Sequence, residues 1–295
     1  MRWQGQRESD NVEDLRGESG GGGGGFGGLP IGGRGLSLGG VVVALVAGWI
    51  FGINPLALLG LMDGGGSASV PAQREVAPSH PTDERARFAS VVLADTEDVW
   101  GAIMGRANRP YEPPRMVLFR GVTRTACGQG ESAAGPFYCP GDRKVYIDLG
   151  FFDVLSQRLG APGDFAQTYV IAHEVGHHVQ TVLGLTQRVD AQRQRLGQAQ
   201  ANALSVRLEL QADCFAGVWA HHSQRGKGWL EAGDIEEALH AASQIGDDTL
   251  QRRSRGTVVP ESFTHGSSAQ RVQWFKRGLQ SGEPAQCNTF ETAGS

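Results

Sequence analysis

The chain has no excess of positive charge: 27 lysines and arginines face 31 aspartates and glutamates, for a formal net charge of −4. No basic stripe runs along it, so the electrostatic footprint of a nucleic-acid binder is missing. It also lacks any Cys-x-x-Cys pair; its four cysteines are Cys127, Cys139, Cys214 and Cys287. That spacing argues against a cysteine-built zinc cluster, and the even number suits disulfides in an oxidising compartment. Three pairings are possible. The simplest closes one loop with Cys127–Cys139 and leaves Cys214–Cys287 to tie the C-terminal tail to an upstream helix. The glycine run Gly20–Gly25 comes after no strand-like segment and precedes no Gly-Lys-Ser/Thr, so it is not a phosphate cradle.

Charge is missing altogether from Leu36 to Leu61, a run of 26 residues. As a helix it would extend about 39 Å, enough to cross a hydrocarbon core of about 30 Å. Residues 36–61 are therefore expected to form one transmembrane helix. Residues 1–35 are polar and then glycine-rich, too poor in apolar surface to order themselves, and read as a disordered tail. Residues 62–82 carry Gly64–Gly66, Pro71, Pro78 and Pro81 and read as a flexible linker. Arg34 before the run and Asp63 after it favour a cytoplasmic N-terminus. Residues 83–295 would then lie across the membrane, with length enough for one domain and its own core.

That domain reads as α+β with helices dominant. Phe88, Val92, Val99, Trp100 and Ile103 give helical spacing over Asp83–Ala107. Met116–Phe119 and Lys144–Leu149 read as strands separated by a glycine-rich loop. Helical patterns return over 187–223, 234–252 and 267–280.

The chemistry concentrates in the apolar helical run Tyr169–Leu183, which contains His173-Glu174-Val175-Gly176-His177. Histidines four apart project from one helix face, and neutral ring nitrogens on that face can hold one zinc ion at about 2.0–2.1 Å. Glu174, beside the first histidine, is placed to take a proton from the attacking water, the H-E-x-x-H arrangement of zincins. His178 points roughly 100° away and receives no role. A metzincin continuation fails, because Gln180 and Leu183 stand where glycine and a third histidine would be needed. The third ligand is instead expected from Glu209, with Asp213 one turn later accepting the second N–H of a ligand histidine.

These motifs, with Arg2–Asp14, Gly135–Pro140, Val145–Asp148 and Ser262–Val272, give a chain that resembles the neutral zinc metallopeptidase family, a bacterial, membrane-anchored, gluzincin-type group. The resemblance implies a zincin-like domain with a small sheet, one Zn2+, and a peptide or protein substrate. It places the chain in the bacterial inner membrane, with the metallopeptidase domain periplasmic or extracellular. It further makes Lys144–Leu149 the candidate to pair with an extended substrate, the alternative being a plain core strand. His265 and Arg271, in the late segment, become candidates for stabilising the oxyanion; the alternative for either is to pair with Asp213 or to cap the helix over Ser267–Gln280. The expected reaction is metal-assisted peptide hydrolysis, endopeptidase in type, with Glu174 as general base. The alternative is a non-catalytic, metal-binding scaffold or chaperone-like module tethered to the membrane; the intact Glu174 speaks against it.

Overall fold

The computed structural model describes residues 1–17, 81–132 and 135–290. The uncharged run 36–61 and most of the linker lie outside them. No helix among the described residues is long and apolar enough to cross a membrane.

The strands are β1 (Val12–Asp14), β2 (Arg115–Phe119), β3 (Val122–Thr125), β4 (Gly128–Glu131), β5 (Phe137–Cys139) and β6 (Lys144–Asp148). The helices are α1 (Glu84–Arg106), α2 (Gly150–Gln157), α3 (Asp164–Val182), α4 (Leu185–Arg193), α5 (Gln198–Lys227), α6 (Asp234–Gln244), α7 (Asp247–Arg255) and α8 (Ser268–Ser281). Helices dominate, and the α+β expectation agrees. One sheet runs β1-β2-β6-β5, parallel except for the antiparallel β5, while β3 and β4 form a separate hairpin. Both disulfides take the simplest pairing, Cys127–Cys139 and Cys214–Cys287. The first ties the hairpin turn to the end of β5; the second ties the C-terminal segment to α5.

Three expectations need correction. The stretch 187–223 is two helices, broken between Arg193 and Gln198, and 234–252 is broken at Gly246. Lys144–Leu149 cannot be a substrate-pairing edge, because β6 is hydrogen-bonded to β2 on one side and β5 on the other. Among the described residues the edge strands of this sheet are β1 and β5, and β5, the one beside the active helix, falls inside the expected loop.

The third correction concerns the N-terminal tail, which is ordered over residues 1–17. Val12, Glu13 and Asp14 pair with Met116, Val117 and Leu118, so β1 is an integral strand. Val12 is fully buried, and Trp3 packs edge-on against Phe88. Glu13 is buried on the sheet, and Arg115 and Lys144 neutralise it at 3.0 and 2.8 Å. Composition misleads here because a strand takes its order from its partner, not from its own apolar content.

The helices approach one another closely at glycines. A Cβ on Gly176, inside the histidine motif, would come within 2.9 Å of the Ala212 carbonyl oxygen, so α3 lies directly on α5. At the other crossing, a Cβ on Gly278 would sit 1.9 Å from the Cys214 carbonyl oxygen, and one on Gly217 2.1 Å from that of Phe275. The α5–α8 contact is thus backbone on backbone, and only glycine permits it. Gly278→Ala should force α8 away and lower stability by about 3 kcal/mol or more in denaturant unfolding, the scale of severe overpacking. A cost below about 0.5 kcal/mol would show that the crossing relaxes freely.

Candidate active site

The crossing of α3 and α5 at Gly176 brings Glu209 opposite the two motif histidines. His173 Nε2 is 3.1 Å from one Glu209 carboxylate oxygen, and His177 Nε2 is 3.4 Å from the other. One ligand atom from each of the three lies within 4.8 Å of the others. A tetrahedral zinc with bonds of about 2.0–2.1 Å needs donors about 3.3 Å apart, so this two-nitrogen, one-oxygen set fits that ion.

Each histidine has its Nδ1 held from behind, which turns Nε2 toward Glu209. His173 Nδ1 donates to Asp213 at 2.9 Å. His177 Nδ1 donates to the Gln180 side-chain oxygen at 2.9 Å. The Gln180 amide cannot turn round, because its nitrogen donates to the Leu208 carbonyl and to Gln211 at 2.7 and 3.1 Å. In the sequence Gln180 stands out only as a failed metzincin position. Its place three residues after His177 on one helix is the signal that could have found it.

Asp213 is fully buried. It accepts from the Tyr169 hydroxyl at 2.5 Å, from His173, and from Arg271 Nε and Nη2 at 2.9 and 3.0 Å. Burial alone would raise its pKa; the charges of Arg271 and His173 and their hydrogen bonds hold it below the usual carboxylate range. Arg271, itself buried, directs Nε and Nη2 to Asp213 and a further nitrogen to the Ile245 carbonyl at 3.3 Å. The structure therefore brings Arg271 to the carboxylate behind His173. Burial would lower the His173 pKa, but Asp213 and Glu209 outweigh it and raise it to about 10 in the metal-free cluster.

A cavity of about 370 Å³ opens over these residues, lined by Glu174, His265, Phe137 and Tyr138 among others. Burial raises the Glu174 pKa against the lowering effect of the two histidines. His265 is anchored by Asp247, a buried residue that no sequence pattern flags. One Asp247 oxygen takes the backbone N–H groups of Thr264, His265 and Gly266 at 2.8, 2.7 and 2.9 Å. The other lies 3.3 Å from His265 Nδ1. Burial opposes protonation of His265, but Asp247 and Glu209 prevail and its pKa is raised.

His178, given no role from the sequence, pins the free strand to the active helix. Its Nε2 donates to the Glu112 carbonyl at 2.8 Å, so Nδ1 must accept from the Tyr138 hydroxyl at 3.2 Å. Burial pushes its pKa down to about 4, which keeps the ring neutral.

The sequence matches the family described as "Putative neutral zinc metallopeptidase" over residues 1–290. The chain belongs to that family. Among its relatives is the Escherichia coli (strain K12) protein named "Uncharacterized protein YpfJ", 57% identical over 293 residues, covering 98% of this chain and 99% of the relative. A Mycobacterium tuberculosis protein, also named as uncharacterized, is 46% identical over 193 residues, 62% of this chain and 64% of its own. No solved structure matches. Membership in this family implies Zn2+ as the metal.

Substituting Gln180→Met or Asp213→Asn should weaken zinc binding about 10- to 100-fold, read by competition with a chromogenic chelator. An unchanged affinity in both would show that the histidines need no orientation from behind.

Proposed function

We propose that this family member is a metallopeptidase that hydrolyses peptide bonds with one zinc ion on His173, His177 and Glu209. The observation that carries the reading is the pair of Nε2 atoms converging on one carboxylate, with both Nδ1 atoms already committed elsewhere. A zinc ion there would acidify the attacking water and polarise the scissile carbonyl.

Glu174 serves as general base, taking the proton during attack and delivering it to the leaving amine. Its upward pKa shift brings it nearer to neutrality, where a base is most effective. His265, held by Asp247 on the far wall, donates to the oxyanion, and its upward shift keeps the donor form available. Arg271 acts from behind as the counter-ion of Asp213. The open edge of β5 offers main-chain partners to an extended peptide, which gives affinity with little demand on sequence.

The test is full-length protein beside Glu174→Gln, assayed for zinc content and for cleavage of a peptide library. Zinc in both with cleavage only in the wild type is the expected result; no cleavage by either would remove the enzymatic reading. His265→Phe should keep zinc and lower kcat by about 10²–10³-fold with KM little changed, the cost of losing one oxyanion donor. An unaltered kcat would take His265 out of the reaction.

A further inference from the structure

A second and larger groove, of about 1160 Å³, opens between the C-terminal end of α1, the junction of α3 with α4, one face of α5 and the segment Gly282–Phe290. Four arginines line it, Arg106, Arg109, Arg188 and Arg207, against a single carboxylate, that of Glu283. On a chain with a formal net charge of −4, this is a local excess of positive charge. Among the described residues no carboxylate pairs with any of the four. Arg188 reaches only the Leu183 and Gly184 carbonyls, at 3.3 and 3.1 Å.

Much of the remaining lining is apolar, built on Met104, Leu183, Val189, Leu204 and Phe215. It includes Trp100, fully buried, whose indole N–H has no partner among the described residues. Unspent positive charge and an unspent donor beside an apolar bed fit a ligand with an anionic head and an apolar body. The walls are mostly helical, and helical main-chain groups bond within the helix, so an extended peptide finds no ladder to join. The volume exceeds the roughly 300–1,000 Å³ of ordinary small-ligand sites, which suits a long, flexible body. Guanidinium forks match the paired oxygens of a carboxylate.

The groove also touches the support of the metal site. Gln211, a buried residue, belongs to its lining. The same side chain accepts from the Gln180 amide at 3.1 Å, and Gln180 accepts from His177 Nδ1 at 2.9 Å. Two hydrogen bonds therefore separate the groove from a candidate zinc ligand.

We propose that this groove binds a long-chain fatty-acid anion, its carboxylate on the arginines and its chain on the apolar bed, and that Gln211 and Gln180 couple its occupation to His177. The coupling rests on the zinc site proposed above; the binding does not.

The test is a fluorescence titration of the full-length protein with a dansyl-labelled undecanoate. Saturable binding is expected, displaced by oleate and not by oleyl alcohol at the same concentration. No saturable binding, or equal displacement by the alcohol, would overturn the proposal. Displacement by lysophosphatidylglycerol well below the oleate concentration would replace the carboxylate by a phosphate head. Displacement by an acidic helical peptide and not by oleate would make the groove a protein-docking surface instead. The double variant Arg106→Gln/Arg207→Gln should weaken oleate about 10-fold or more while zinc content holds, the cost of losing charged hydrogen-bond donors. Leu204→Trp, at a half-buried position, should fill the groove and block the probe. Unchanged affinity in both variants would move the ligand elsewhere. Zinc-loaded and metal-stripped proteins should differ in oleate affinity about 5-fold or more, since coupling between two sites is reciprocal. Equal affinities would overturn the coupling, whether or not the protein cleaves peptides.

Discussion

A carboxylate sealed in the interior, Asp213, is the constraint around which the site is built. Taking such a charge out of water costs several kcal/mol unless it is neutralised and fully hydrogen-bonded. Here the partners come from different elements: Tyr169 and His173 from α3, Arg271 from α8, with Asp213 itself on α5. The three helices must therefore converge for the charge to be tolerated. Once they do, His173 is fixed in one orientation with Nε2 toward Glu209. Stability of the core and readiness of the metal site are consequences of one arrangement.

Convergence that close needs helices without side chains between them. Gly176 lets α3 settle on Ala212, and Gly217 with Gly278 lets α8 settle on α5. Those crossings set the distances between His173, His177, Glu209 and Arg271 more firmly than any side-chain contact, because a packed backbone has few ways to yield. The Cys214–Cys287 bridge leaves α5 beside the Gly278 contact and secures the segment after α8. Gln211 adds a further tie, supporting Gln180 on one side and donating to the Cys287 carbonyl at 2.9 Å.

On the other wall the sheet sets where a substrate could lie. β1 covers β2, β2 and β5 cover β6, and β5 is left with a free edge next to the active helix. His178 links that edge to α3 through Tyr138, and Cys139 anchors its end through Cys127. The N-terminal residues thus belong to the same architecture as the catalytic groups.

Short-range periodicity accounts for the part of the molecule that is legible in the sequence. Histidines four apart must share a helix face, so His173, Glu174 and His177 take their places directly. Glu209 and Asp213, also four apart, come from the same rule with the third-ligand requirement added. Most of the longer helices show as periodic apolar runs, though not the short helix Gly150–Gln157 or the breaks near Leu196 and Gly246, and the cysteine pairing has a simplest solution. Three-residue strands such as β1 and β5 leave no periodic trace, and β1 sits in a segment whose composition reads as tail. Gln180 and Asp247 are closed to the sequence for a different reason. Each is defined by what stands opposite it across a helix crossing or a turn, and such partners are set by tertiary packing, not by spacing along the chain. From the order of residues alone come the metal-binding helix and the type of chemistry it suits. It took the folded chain to settle which groups orient the ligands, which strand is open to a peptide and how the N-terminal segment joins the domain, because each of these depends on backbones far apart in sequence meeting in space.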